Sequence, residues 1–308
     1  MPHFEIRLIG NRETGATIDG AVLRDVLDSL LEGVRRAVRL RVEGRSSAPG
    51  TAPRWLSEAG KVRVLGFREG SPVIDLDAPV VGEALADRGG LGPLFEEPDP
   101  HATGMGWYRD VLEDALRADR DSDRFDAGLL DAVVGWHRVL SHGVARIEFS
   151  NGGPSVTSID AQGLQQAASL IRSTPPPQRV RVAGWLEAIR HSTRAFVLTL
   201  ADKTEVRGVA PQVPVESLRQ LFGRKAYVDG LAHFRPNGHV ARLEAEQIAP
   251  AGEDFEAWSQ APEPLFGPEV QPAPRVPQGP RSGLNAIFGQ WPGDESDEEI
   301  EHALKGVS

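Results

Sequence analysis

The 308-residue chain contains no cysteine, so neither disulfide bridges nor thiolate metal sites can form. Lysine is also scarce: only four of the 34 basic residues are lysine, which leaves 30 arginines and is typical of a GC-rich bacterial genome. No apolar run approaches the ~18–20 residues that a membrane span requires. The opening MPHFEIRLIG lacks the basic region and apolar stretch of a signal peptide. We therefore expect a cytoplasmic protein with no membrane partner.

The charge is distributed unevenly. The net charge of −10 argues against a protein that coats nucleic acid with its whole surface. Residues 179–250, however, carry 11 Arg and Lys against 7 Asp and Glu, a net charge of +4. A local basic region of this kind indicates where an anionic partner would bind.

The first half of the chain predicts an α+β domain over residues 1–174, with 1–86 and 107–174 as candidate halves. Alternating polar and apolar residues predict strands, and apolar residues at helical spacing predict helices. The expected strands are 4–9, 61–67, 72–77 and 144–149. The expected helices are a long one capped by Asp19, then 107–118, 126–140 and 159–172. Residues 87–106 predict an irregular connection, and Asn151–Gly153 a turn.

Residues 179–250 predict a small OB-like five-stranded β-barrel. Strands are expected at 179–189, 194–201, 204–209, 224–232 and 239–248, with a helix at 214–222. Three strands, a helix and two strands follow the order of an OB-type barrel, although a six-stranded barrel or a split sheet would give a similar pattern. Gly184 suits a sharp strand bend, and Asn237-Gly238 is a strong hairpin signal.

The end of the chain predicts a linker and an arm. Residues 251–282 are expected to form a Pro-rich linker, since 261–282 alone contain seven prolines. In residues 283–308, four apolar residues at i, i+3, i+4 and i+7 form a stripe on one short helix, and Ser296 with Glu299 forms a capping box that begins a second. Six acidic residues lie within 294–301. Short helices are marginal alone, so the arm either docks on its own domains, docks on a partner or stays disordered.

Residues 288–300, FGQWPGDESDEEI, resemble the C-terminal arm of bacterial type II antitoxins, many of which are encoded beside a PIN-domain ribonuclease toxin. The resemblance covers less than a tenth of the chain. It implies an arm that lies across a toxin and masks its active site. Typical antitoxins of this kind are short and begin with a DNA-binding fold, whereas no helix-turn-helix or ribbon-helix-helix pattern occurs here. The candidate partner-binding residues are Leu284, Ile287, Phe288, Trp291, Pro292, Asp294, Glu295, Asp297, Glu298, Glu299, Ile300 and Leu304.

Three candidate catalytic or metal motifs are incomplete. Residues 10–17 match a phosphate-binding loop except that Ala16 occupies the position of the essential lysine. Residues 119–123 begin like a calcium loop, but Arg124 and Leu130 replace the required Gly and Glu. His137 and His142 lack the surrounding HExxH pattern. We therefore expect no catalytic residue, no metal and no cofactor.

The predicted barrel carries a candidate site for single-stranded nucleic acid, because OB-type barrels stack bases on aromatic rings within a basic groove. The candidate residues are Arg181, Arg190, Arg194, Arg207, Lys225, Phe234 and Arg235, to which Arg224, Trp185, Phe196 and Tyr227 lie close in sequence. Alternatively, the aromatic residues form the core and the arginines a solvated face. Phe234 and Arg235, beside the predicted hairpin turn, are the pair expected to be most exposed.

Two functions follow from the sequence, and neither is enzymatic. The first is an antitoxin-like inhibitor that neutralises a neighbouring toxin through its arm. The second is a nucleic-acid-binding adaptor that acts through the barrel.

Overall fold

The computed structural model describes residues 3–10, 17–68, 72–85, 99, 101–153, 155–190, 194–252 and 254–265. Met1–Pro268 forms one compact unit. The predicted arm, 283–308, and the part of the predicted linker after residue 265 lie outside the described residues, as do residues 11–16 of the incomplete phosphate loop. None of the described helices is long and apolar enough to cross a membrane.

The fold is α+β and begins with a five-stranded antiparallel sheet in the order β2-β3-β1-β4-β5. Strand β1 alternates buried and more exposed residues, which places Phe4, Ile6 and Leu8 in the core. The strands are β1 (His3–Ile9), β2 (Arg63–Arg68), β3 (Val73–Asp77), β4 (Arg146–Ser150) and β5 (Val156–Asp160).

Helices bury the apolar face of this sheet. The helices are α1 (Gly20–Glu43), α2 (Arg54–Ala59), α3 (Val81–Leu85), α4 (Gly104–Leu116), α5 (Ala127–Val134), α6 (His137–Ser141) and α7 (Ala161–Ser173). The predicted cap of α1 is confirmed, because the Asp19 side chain accepts a hydrogen bond from Ala21 N. At the centre of the packing, Trp136 Nε1 donates to Tyr108 Oη at 2.7 Å, and both side chains are fully buried.

Two expectations for this half are wrong. Residues 126–140 form two helices rather than one, because the backbone hydrogen bonds tighten at Trp136, whose N–H donates to Val133 O three residues back. Strand β5 was not expected, and helix α7 begins at Ala161, where Asp160 caps it by accepting from Gly163 N.

Residues 178–250 form a closed five-stranded barrel in the order β10-β8-β7-β6-β9. The strands are β6 (Gln178–Arg190), β7 (Ala195–Thr199), β8 (Glu205–Val209), β9 (Lys225–Phe234) and β10 (Val240–Pro250), and α8 (Val215–Leu221) lies between β8 and β9. β8 and β10 pair in parallel, whereas the other neighbours are antiparallel. This arrangement is compatible with the expected OB-like barrel.

The predicted Asn237-Gly238 turn is confirmed, and the structure gives a packing reason for Gly184. Strand β6 pairs with β9 up to Trp185 and with β7 from Trp185 onward, so Gly184 lies where the strand changes partner. A Cβ at Gly184 would lie 2.6 Å from Leu198 Cγ, which explains the glycine. Gly238 in the β9–β10 hairpin has φ +90°, a conformation that glycine adopts without strain.

The chain after β10 returns to the barrel surface. A short 3₁₀ helix (Phe255–Trp258) packs on β6, where Phe255 meets Trp185 edge-to-face. Leu265 N then donates to Gln178 Oε1 at 3.0 Å. The barrel interior has its own apolar core, separate from the core between the sheet and the helices. The proposed division into domains at 175–178 stays a prediction.

Candidate functional site between the barrel and the helices

A cleft of about 460 Å³ lies between the barrel and the helical layer. This volume falls in the ~300–1,000 Å³ range of small-ligand sites. The helical side of the cleft comes from the end of α1, from α4 and from the loop 123–128. The barrel side comes from β7, β8, β9, β10 and the start of the β9–β10 hairpin. In OB-type barrels, the second and third strands and the loop between the last two strands commonly contact the ligand, and their counterparts here border this cleft.

The β9–β10 hairpin contacts the loop that resembled a calcium site. Arg235 Nη1 donates to Asp121 O at 3.1 Å, and Asn237 Nδ2 donates to Asp121 Oδ1 at 2.6 Å. In return, Arg120 Nη2 donates to Pro236 O at 3.0 Å. The aspartate-rich loop therefore contacts the barrel, and these bonds fix one end of the cleft.

Asp126 joins three elements at the other side of the cleft. Its carboxylate caps α5 by accepting from Leu129 N, and it also accepts from Ser46 N and from Arg242 Nη1 at 3.2 Å. Arg242 Nη1 additionally donates to Gly44 O at 3.0 Å. Burial opposes ionisation of Asp126, but the hydrogen bonds from Ser46 and the charge of Arg242 outweigh it, so the pKa of this carboxyl lies below its ordinary value.

His233 lies beside Arg242 in the paired strands β9 and β10. Burial and the positive charge of Arg242 lower the pKa of His233 below its ordinary value, although Glu244, 3.4 Å away, acts in the opposite direction. His233 therefore lines the cleft as a neutral imidazole near pH 7.

The structure divides the predicted nucleic-acid residues among several places instead of one groove. Arg207 and Arg235 line the cleft. Arg194 donates to Pro211 O, and Arg190 lies at the end of β6, where burial lowers its pKa. Arg224 lies at the turn before β9, exposed to solvent.

The expected exposure of Phe234 is wrong. Only 5% of Phe234 is exposed, and the side chain belongs to the barrel core. The residues of β9 alternate between inside and outside, so Phe234 shares the inner face with Val228 and Ala232. Phe196 is also fully buried. The alternative that places aromatic residues in the core therefore holds for these two rings.

The remaining candidates lie with two residues that the sequence did not indicate, Phe255 and Trp258, in an outer patch on β6, β9 and the 3₁₀ helix. The outer patch comprises Arg181, Trp185, Lys225, Tyr227, Phe255 and Trp258. Lys225 Nζ lies 5.1 Å from the Trp185 ring centre and 4.2 Å from that of Phe255. Arg181 lies over the rings of Tyr227 and Trp258 and also forms two hydrogen bonds with Asp229, at 2.7 and 2.9 Å. Trp258 is 41% exposed. The outer patch therefore offers an accessible ring beside Arg181, with a second cation, Lys225, on neighbouring rings.

A separate cluster on the open face of the sheet has the composition of a metal site. The ligand atoms of His3, Glu5 and Asp75 lie within 4.8 Å of one another. However, Arg68 Nη2 lies 2.6 Å from Glu5 Oε1 and 2.7 Å from Asp75 Oδ1. The guanidinium already occupies an oxygen of each carboxylate and places a positive charge between them, so this cluster does not fit a metal ion. The two histidines considered above are also engaged: His142 pairs with Asp25 and His137 contacts Val134 O.

Reasoning from sequence missed Trp107, Asp121, Asp126, Asn237 and Arg242 as parts of this region. A local signal existed for two of them, since Asp126 precedes an apolar helical run and Asn237 is in the Asn-Gly turn. The contacts themselves join residues far apart in the chain, such as Asp126 and Arg242, which are 116 positions apart.

The arm residues with a predicted partner-binding role all lie outside the described residues. Comparison with known proteins adds no family: no family model, no curated protein and no solved structure matches this chain.

Proposed function

We propose that this protein is an antitoxin-like inhibitor, a binding protein and not an enzyme, which neutralises a partner toxin through residues 283–308. The observation that carries the proposal is the sequence of residues 288–300, in which a Trp-Pro-Gly-Asp-Glu-Ser-Asp-Glu-Glu run follows an apolar pair. Its order and spacing resemble the arms of antitoxins that act on PIN-domain ribonucleases.

The described body supports this proposal by supplying an anchor for the arm. The chain returns to the barrel after β10, and its course is held there by the contact of Phe255 with Trp185 and by the hydrogen bond from Leu265 to Gln178. The first part of the predicted linker, 251–282, therefore packs on the barrel, and the remainder leads from this anchored point to the arm. A spacer of this composition extends by about 3.1 Å per residue, so the arm would act at a distance of tens of ångströms from the barrel.

The partner expected from the resemblance is a metal-dependent ribonuclease that holds Mg²⁺ or Mn²⁺ in a carboxylate cluster. Leu284, Ile287, Phe288 and Trp291 would enter an apolar groove of the toxin as one helical stripe. The acidic run that follows would lie near the metal site. The arm would therefore inhibit the toxin by covering its site and by placing negative charge beside the metal ligands.

Co-expression with the product of the adjacent reading frame tests the proposal. We expect the full chain to restore growth of cells that express the neighbouring toxin and to co-purify with it, and the chain lacking 283–308 to do neither. Thermal unfolding of the shortened chain should match that of the full chain, because the described body has its own cores. Protection by the shortened chain, or the absence of a toxic neighbour, would show that the proposal is wrong.

A second candidate function is weak binding of single-stranded nucleic acid, which is favoured by the outer patch rather than by the cleft. The partly exposed Trp258 ring lies beside Arg181, and Lys225 lies against Trp185 in the same patch, so aromatic rings and cations occur together there. Fluorescence anisotropy with the full chain should show micromolar or weaker binding that falls steeply as salt rises.

A double variant tests where that binding occurs. Lys225→Ala with Trp258→Ala should remove most of the signal, whereas Arg179→Ala, which changes an exposed cation paired with Glu246 on the same barrel, should change it little. No binding at low salt, or equal loss in both variants, argues against the outer patch. Phe234→Ala is unsuitable for this purpose because it would leave a cavity in the barrel core.

A further inference from the structure

The charges that line the cleft between the barrel and the helices are incompletely balanced. Its four carboxylates are each engaged by an arginine: Glu43 with Arg39 at 3.5 Å, Asp110 with Arg109 at 3.3 Å, Asp123 with Arg207 at 3.7 Å and Asp126 with Arg242 at 3.2 Å. The cleft is therefore not an acidic site, and its carboxylates are not available to a cationic ligand.

Arg235 supplies an additional positive charge. Its guanidinium donates to the neutral carbonyl of Asp121, and among the residues that the structure describes no carboxylate lies within ion-pair distance of it. Another cleft residue, Arg124, pairs with Asp114, which lies outside the cleft lining. Since an unneutralised guanidinium in a partly buried site favours an anion, the ligand of this cleft should carry negative charge.

Apolar residues form a large part of the remaining lining, and they include the partly exposed ring of Trp107. Trp107 on α4 and Leu40 on α1 are half-buried, and Val42, Val111 and Val209 extend this surface behind them. An apolar wall with a tryptophan suits a flat organic group. The ligand should therefore combine a planar body with an anionic group at one end.

We propose that the cleft binds a nucleoside monophosphate, with the phosphate at Arg235 and the base against Trp107. A single phosphate matches the guanidinium of Arg235, whereas a triphosphate carries more negative charge than this one guanidinium balances. The proposal is independent of the antitoxin-like function and concerns a different surface from the outer patch. The same chemistry occurs in a free nucleotide and in the phosphorylated end of a strand.

Isothermal titration of the full-length chain tests the chemistry of the ligand. We expect AMP to bind. Adenosine and inorganic phosphate should each bind at least about tenfold more weakly than AMP, because each lacks one of the two contacts, and a contact worth about 1.4 kcal/mol changes the affinity tenfold. ATP without metal should also bind more weakly than AMP. A 5′-phosphorylated tetranucleotide that competes with AMP at equal or higher affinity would assign the strand end as the source; failure to compete would assign the free nucleotide.

Variants test the position of the phosphate. Arg235→Gln should weaken AMP binding about tenfold or more, and Arg235→Lys should recover part of it by restoring the charge. The matched control is Arg179→Gln, which changes an exposed arginine of the same barrel that pairs with Glu246 outside the cleft. If Arg235→Gln does not fold, the comparison of AMP, adenosine and phosphate on the unaltered chain remains decisive. No AMP binding at millimolar concentration, or equal affinity in Arg235→Gln and Arg179→Gln, would overturn the proposal.

Discussion

Gly33 lies beneath the ring of Tyr108, where helices α1 and α4 meet. A Cβ at Gly33 would lie 2.1 Å from Tyr108 Cζ, and Tyr108 cannot move freely because its hydroxyl accepts from the buried Trp136. We expect Gly33→Ala to destabilise the protein by about 1–3 kcal/mol through overpacking, measured by urea unfolding. Gly20→Ala, in the same helix but with open space around it, should be neutral or slightly stabilising. Equal effects would contradict this account.

His233 gives the stability a dependence on pH. Its pKa is lower in the folded protein than the ordinary value of 6.5, because of burial and Arg242. The unfolded chain therefore binds a proton more readily, and stability that is complete above pH 6.5 falls as the pH drops toward the folded-state pKa. Glu244 and Asp126 oppose the shift. Denaturant unfolding from pH 7.5 to 5 should show this loss, and His233→Asn should reduce its slope; an unchanged slope would exclude His233 as the cause.

At the scale of elements, Arg242 is one of the arginines that join the barrel to the helical layer. Arg242 on β10 bonds both Gly44 O after α1 and the Asp126 cap of α5, and only 14% of its side chain is exposed. Because Arg242→Ala would leave Asp126 buried without its cation, we expect a loss of about 2–4 kcal/mol in the free energy of unfolding. Arg179→Ala, which breaks an exposed pair on the same barrel, should have little effect. Similar losses in the two variants would show that the burial of an ion pair does not determine its contribution to the free energy of unfolding.

The order of elements could be predicted from the sequence because most of the signals are local. Gly184, the Asn237-Gly238 turn and the helix between β8 and β9 indicated the barrel, and Asp19 marked the start of α1. The two incorrect predictions of secondary structure also have local causes. Val156–Asp160 is a short edge strand with mixed exposure, and at Gly135 an apolar helical pattern continues across a break.

The site was less predictable, because it depends on contacts between distant segments. Side chains alternate between the two faces along β9, which places Phe234 on the same buried face as Val228. This alternation indicates that Phe234 is buried, although its position beside a turn led us to expect exposure. No sequence pattern, however, indicates that the hairpin at 235–238 meets the loop at 119–123. Residues 179–250 do carry more basic than acidic residues, but many of the arginines there are paired with carboxylates, as Arg181 is with Asp229.

At the scale of the whole molecule, the proposed function separates a folded body from a partner-binding segment. If the body of the protein also contacts the toxin, the predicted linker raises the effective concentration of the arm at that partner. Changes in 283–308 should then alter partner binding without altering the unfolding of the body. Changes in either core should instead alter the unfolding of the body, because the residues of the two cores lie within the described part of the chain.

Trp291 should be the main contributor to the affinity of the arm, because a tryptophan buried at a helix-in-groove contact covers the largest apolar area. We expect Trp291→Ala to weaken toxin binding by about 2–4 kcal/mol, measured by surface plasmon resonance as a faster dissociation. Neutralising Asp294, Glu295, Asp297, Glu298 and Glu299 should instead slow association and reduce its salt dependence, because exposed charges steer the encounter more than they hold the complex. Trp258→Ala, an exposed tryptophan of the body, is the matched control and should change neither rate. If Trp291→Ala and Trp258→Ala bind the toxin equally well, the apolar stripe does not hold the complex, and charge alone would have to account for inhibition.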